Sequence, residues 1–124
     1  MEAGVTDNSR TLDTRVVKEL NAIASAFRES GLEIFLFGSI AKTFPRAARG
    51  ADLDVGMRTE PNLTTDLRDS LKASARSRLE FLPTIRPIDV VDFDLVSQRF
   101  KELAASSRLE FPLKLDGTYN KGKF

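Results

Sequence analysis

Residues 32–39 read LEIFLFGS and residues 51–55 read ADLDV, and how those two stretches are built decides the fold. Leu32 to Phe37 is an almost unbroken apolar run, with Gly31 on one side and Gly38-Ser39 on the other. An apolar run this short, bounded by turn residues, reads as a buried strand. Gly38-Ser39 turns the chain into a short helical segment from Ile40, and a loop containing Pro and Arg carries it to Gly50. Over residues 52–57, Leu53, Val55 and Met57 alternate with Asp52, Asp54 and Gly56. Successive side chains of a strand point to opposite faces, so this strand has one apolar face and one face bearing two carboxylates.

Upstream, Val16, Leu20, Ile23 and Phe27 recur at helical spacing. Thr11 or Asp13 can cap that helix, and Gly31 stands where a left-handed residue would end it. Downstream, Pro61-Asn62 opens a second helix with Leu63, Leu67 and Leu71 on one side, ending before Pro83. Residues 88–93 (IDVVDF) read as a third strand, with Asp89, Val91 and Phe93 on one face and Ile88, Val90 and Asp92 on the other. Ser97 caps a last helix whose Phe100 and Leu103 face inward. Residues 109–115 alternate Leu109, Phe111, Leu113 and Leu115, and Pro112 argues against a central strand there. Those four side chains are expected to form an exposed apolar patch of the kind that marks a protein interface. The pentapeptide SRLEF occurs at 77–81 and 107–111, too little for a repeat architecture. The pattern as a whole is α/β: a small mixed β-sheet with helices packed on one side. Residues 1–10 are expected to be a flexible N-terminus, 11–115 the folded domain and 116–124 a flexible C-terminal tail.

The chain's 124 residues suffice for one domain and are too few for two of ordinary size. Its 41% hydrophobic and 30% charged residues argue against wholesale disorder. It contains no Cys and no His. Disulfides, thiolate metal sites, Cys nucleophiles and Ser-His-Asp chemistry are therefore excluded. Catalysis, if any, must use carboxylates, lysine, hydroxyls or oxygen-bound metals. Lys plus Arg total 19 against 18 Asp plus Glu, so there is no basic excess and no direct nucleic-acid binding is expected. No apolar run approaches a membrane span, and the opening MEAGVTDNSR lacks the basic-then-apolar layout of a signal peptide. A cytoplasmic enzyme or binding protein is expected.

The residues able to carry chemistry are Gly38-Ser39, then Asp52 and Asp54, then Asp89. With 10 Asp in the chain, about one Asp-x-Asp is expected by composition alone, and a second pair exists at Asp92 and Asp94. Context separates them. Asp52 and Asp54 project from one face of an alternating strand about 7 Å apart along the backbone. Like charges so placed repel unless a cation lies between them, and hard divalent metals such as Mg²⁺ take such oxygen ligands together with substrate phosphates. Asp92 and Asp94 instead end a strand, where Asp94 can make a local turn bond or favour the start of the last helix. At the strand-to-helix turn, Gly38 lets the backbone approach an anion and the Ser39 hydroxyl can donate to a phosphate oxygen.

Taken in order, LFGS at 36–39, ADLDV at 51–55 and PIDVVDF at 87–93 resemble the minimal nucleotidyltransferase (MNT) family of the DNA polymerase β-like superfamily. That family joins an apolar strand ending in Gly-Ser, a spacer, Asp-x-Asp on the next strand and a third Asp on a later one. The likeness covers roughly residues 12–110, and DVVDFDLVSQRFKELA at 89–104 further resembles MNT antitoxins paired with HEPN-type toxins. The spacer, residues 40–51, is longer than the family commonly has, Thr43 stands where a glycine often does, and Ala51 replaces a frequent serine. The resemblance implies a polymerase β-like nucleotidyltransferase fold. In it Asp52 and Asp54 bind two Mg²⁺ ions, and Asp89 completes one metal site and assists deprotonation of the acceptor. The implied reaction is transfer of an NMP unit, AMP from ATP, to a hydroxyl of a partner protein, a tyrosine of a HEPN-type toxin. Lys42, one helical turn from Gly38-Ser39, is the favoured cation for the triphosphate, ahead of Arg46 and Arg49. Two alternatives stand beside this: a non-catalytic antitoxin acting by occlusion, and transfer to a small molecule. Oligomer formation is left open.

Overall fold

Asp13 opens the first helix, its carboxylate accepting from the backbone N–H of Arg15 at 2.7 Å and so satisfying one of the otherwise unpaired first-turn donors. The computed structural model describes residues 9–114. Helix α1 (Thr14–Arg28) buries Val16, Leu20, Ile23 and Phe27, as their spacing requires, and each such side chain contributes about 1.5–3 kcal/mol. Its C-cap is Glu29, and Gly31 adopts the left-handed φ of +100° one residue beyond the position expected. Strand β2 (Leu32–Phe37) has the predicted bounds. Helix α2 (Gly38–Thr43) begins at Gly38, not Ile40.

The long spacer is not a free loop. Within it, β3 (Arg46–Ala48) pairs antiparallel with β1 (Ser9–Thr11). Ser9 and Arg10, expected to belong to the N-terminal segment, lie in this strand. The rest of that expected N-terminus, Leu115 and the tail expected over 116–124 lie outside the described residues. Strand β4 (Leu53–Thr59), helix α3 (Thr65–Leu79), strand β5 (Ile88–Asp92), helix α4 (Gln98–Ala105) and strand β6 (Leu109–Glu110) follow. The main sheet is four-stranded and mixed, in the order β5-β4-β2-β6: β4 and β5 run parallel, and β2 is antiparallel to both β4 and β6. Its Leu32, Ile34, Leu36, Leu53, Val55 and Met57 pack with α1 and α3 in the principal core. Phe35, Phe37 and Phe93 fill the opposite face under Phe100 and Ala104 of α4, with ring centroids 4.8–6.4 Å apart. The two long helices share one face, as expected, and the short α4 covers part of the other.

Three local expectations change. The second long helix starts after Thr64, whose hydroxyl accepts from Leu67 N–H, because a capping side chain there outcompetes the turn at Pro61-Asn62. Its inward stripe is Leu71, Ala75 and Leu79, with Leu67 largely exposed. Leu103 is 63% exposed, and Ala104 takes the inward place. The segment expected to be an exposed patch is buried instead: Leu109, Phe111 and Leu113 are core residues. The reason lies in α1. Asn21 bonds both the N–H and the carbonyl of Leu113, and Arg28 donates to the Phe111 carbonyl at 2.9 Å. With those backbone groups satisfied, the alternating side chains can enter the core.

Candidate active site

The sheet register brings the acidic residues together. Asp54 on β4 is opposite Phe37 on β2 and is the parallel partner of Asp89 on β5. Directly opposed residues of neighbouring strands point to the same face, with strands about 4.8 Å apart. Asp54 and Asp89 therefore emerge side by side on the aromatic face, at the end where β2 hands over to α2. Asp52 lies immediately before β4. Asp52 and Asp89 are exposed and Asp54 is half-buried.

Electrostatics follows from that placement. Burial, then the charges of Asp89 and Asp52, push the Asp54 carboxyl above the ordinary carboxylate value. Among the described residues none of the three forms an ion pair with Lys or Arg. They do not, however, close into a cage: among the described residues no group of three His, Cys, Asp or Glu could hold a metal ion by itself.

Gly38 is required where it stands. Its φ is +81°, and a β-carbon there would collide with Oδ2 of Asp54; only glycine combines that backbone with that close approach. Gly38 N–H donates to Ser107 Oγ at 3.2 Å, and Ser107 Oγ in turn donates to the Ala104 carbonyl. Ser107, 3% exposed, thus ties the end of α4 to the Gly-Ser turn. Sequence reasoning missed it, since nothing distinguishes this serine from Ser77 in the other copy of SRLEF. Ser39 is exposed and lines a hollow of about 190 Å³ with Thr43, Arg46 and Ala51. Lys42 is exposed on α2, with no ion-pair partner among the described residues. A larger cavity of about 670 Å³ includes Arg15, Arg49, Arg86 and Pro87 in its wall, but none of the three carboxylates.

The second Asp-x-Asp is structural. Lys72 Nζ stands 2.9 Å from Asp92 and 2.8 Å from Asp94. Asp94 also accepts from the backbone N–H and the hydroxyl of Thr59, and Asp92 accepts from Asp94 N–H.

No family model matches the chain, and no curated protein matches it at a significant level. Solved structures do. One, described as a candidate minimal nucleotidyltransferase, superposes with a TM-score of 0.54 at 20% identity, over 81% of this chain and 97% of that one. A toxin–antitoxin structure with AMP-PNP gives a TM-score of 0.46 at 20% identity, over 76% of this chain and 70% of that one. A variant of the toxin–antitoxin MntA–HpeT gives 0.43 at 21% identity, over 74% and 69%. The first of these likenesses extends through nearly the whole of the other chain, and what is shared at that identity is the fold. This chain folds as an α/β protein of the minimal nucleotidyltransferase kind.

Proposed function

We propose that this chain is a metal-dependent nucleotidyltransferase that moves an NMP unit, AMP from ATP, onto a hydroxyl of a partner protein, a HEPN-type toxin, as a modifying antitoxin. The observation that carries the reading is the half-buried Asp54 carboxylate, raised by burial and by Asp89 and Asp52, with no cation paired to it among the described residues. Three clustered carboxylates without a counter-charge form a hard oxygen donor set. An incomplete protein cage suits magnesium, which usually keeps one or two carboxylates and takes its other ligands from phosphate and water. Asp52, Asp54 and Asp89 are the residues that would hold it, two ions in all, and such ions lower the barrier to an in-line displacement by stabilising charge on the attacking and leaving oxygens.

The chain's own groups do the rest. Asp89 takes the proton as the acceptor hydroxyl oxygen bonds to the α-phosphorus. The bond from that phosphorus to the oxygen bridging the β-phosphate breaks, and pyrophosphate leaves. Gly38 leaves room for the phosphates beside Asp54, Ser39 donates to a phosphate oxygen, and Lys42 offsets triphosphate charge. The partner class rests on the resemblance of residues 89–104 to MNT antitoxins. In that same stretch Leu95 and Leu103 are 81% and 63% exposed, apolar surface on which a protein substrate can dock. Burial of residues 109, 111 and 113 leaves the altered spacer as the remaining motive for the occlusion reading.

The test is incubation of the chain with Mg²⁺, labelled ATP and a HEPN-type partner, followed by intact mass measurement of the partner. A gain of one or more nucleotide units is expected. An unlabelled partner at every divalent concentration rejects the reading.

A further inference from the structure

Arg86 has no part in the reaction above, yet its guanidinium reaches three backbone carbonyls. Nη1 donates to the carbonyls of Ala48 at 2.7 Å and Ala51 at 3.1 Å, and Nη2 reaches the Ala47 carbonyl at 3.5 Å. Among the described residues no carboxylate pairs with it, although an arginine near acidic residues ordinarily takes one as a bidentate partner. The neighbouring Pro87 carbonyl accepts from Leu53 N–H at 2.9 Å. Asp52 is therefore bracketed: the carbonyl before it is held by the Arg86 side chain, and the N–H after it by the Pro87 backbone. Residues 86 and 87 lead straight into β5, where Asp89 is in register with Asp54. The same guanidinium also grips two carbonyls of β3, the strand built from the long spacer.

We propose that Arg86 is a positioning residue that fixes Asp52 relative to Asp54 and Asp89, and so sets the affinity of the acidic site for its divalent cation. The inference rests on the function proposed above only for the existence of that cation; the clamp itself is geometry. A ligand displaced by more than about 0.5 Å no longer fits its site, and loss of groups that orient metal ligands typically costs 10–100-fold in metal affinity. Lysine cannot replace this arginine fully, because a single ammonium lacks the planar fork that spans several carbonyls.

The experiment compares the full chain with Arg86→Met and Arg86→Lys by three readouts. In Arg86→Met, amide hydrogen exchange across residues 47–53 should accelerate about tenfold or more, with α1 and β2 unchanged. The Mn²⁺ concentration for half-saturation, read by paramagnetic relaxation of water, should rise about 10–100-fold, with Arg86→Lys between it and the parent. At limiting cation kcat should fall by a similar factor, and excess cation should restore it, which a merely structural defect does not allow. An unchanged Mn²⁺ half-saturation in folded Arg86→Met overturns the inference, as does a parent chain that binds no Mn²⁺. If Arg86→Met does not fold, Arg86→Lys makes the same decision. A parent chain that binds Mn²⁺ but transfers no nucleotide sinks the proposed function instead, and the exchange and binding readouts still judge Arg86.

Discussion

Asp92 and Asp94, at the far end of β5, share the ammonium of Lys72, whereas Asp52 and Asp54, at the opposite end of the parallel strands, have no ion-pair partner among the described residues and face the charge of Asp89. Identical Asp-x-Asp spacing thus ends in opposite electrostatics. For Asp94, burial works against the charge, but the bonds from Lys72 and Thr59 outweigh it and hold the carboxyl below its ordinary value. For Asp54, burial and two carboxylates act in the same direction and hold it above. The fold neutralises one pair with its own lysine and leaves the other exposed at the Gly-Ser turn. A pair that supplies its own counter-charge is a brace; a pair that lacks one is suited to an external cation.

The sharpest way to break that contrast is Asp54→Asn, which removes charge at nearly constant volume. Nucleotide transfer should fall about a thousandfold, a loss of about 4 kcal/mol at 1.4 kcal/mol per tenfold, while the thermal midpoint stays at or above that of the parent because a repulsion has gone. A midpoint lowered by several degrees would make Asp54 a brace like Asp94. Next in size is Lys72→Met. Two largely buried carboxylates lose their partner, and denaturant unfolding should show a loss of roughly 2–3 kcal/mol, less than a fully buried pair would lose because water still reaches them. Transfer per folded molecule should not change. Unaltered stability would mean that Lys72 braces nothing.

How much of this was legible beforehand depended on the range of the cause. The bounds of β2 follow from an apolar run between turn residues, the shared face of Asp89, Val91 and Phe93 follows from local alternation, and sequence reasoning found both. The placement of Asp54 beside Asp89 was legible because strand parity and the register of neighbouring strands decide it, whereas Asp52, expected within the strand, lies just before it. Burial of Leu109, Phe111 and Leu113 was not legible, because the groups that admit that segment to the core, Asn21 and Arg28, lie 92 and 83 residues away. The two SRLEF copies make the point most directly. One ends α3 and the other begins β6; Phe81 is 82% exposed and Phe111 3%. Five identical residues take different structures because different neighbours cover them, which is tertiary context overriding local propensity. The three-residue ribbon strands β1 and β3 are too short to show any period at all.

The smallest expected effect separates the two pairs by sign alone. Because the Asp54 carboxyl is raised, the folded chain binds that proton more tightly than the unfolded chain does. Its contribution to stability is therefore greatest at acid pH and declines as pH rises through the raised value. Asp94 is lowered, so its contribution is present above the ordinary carboxylate value and is lost as pH falls through the depressed one. Urea unfolding of the parent, Asp54→Asn and Asp94→Asn between about pH 3 and about pH 7 measures both. The stability of Asp54→Asn relative to the parent should climb with pH, and that of Asp94→Asn should drop. Added Mg²⁺ should flatten the first trend and leave the second alone, since among the described residues the second pair has the Lys72 counter-charge and the first has none. Parallel trends in the two variants would show that the ends of the sheet are electrostatically alike, and the case for a cation at Asp54 would lose its physical basis.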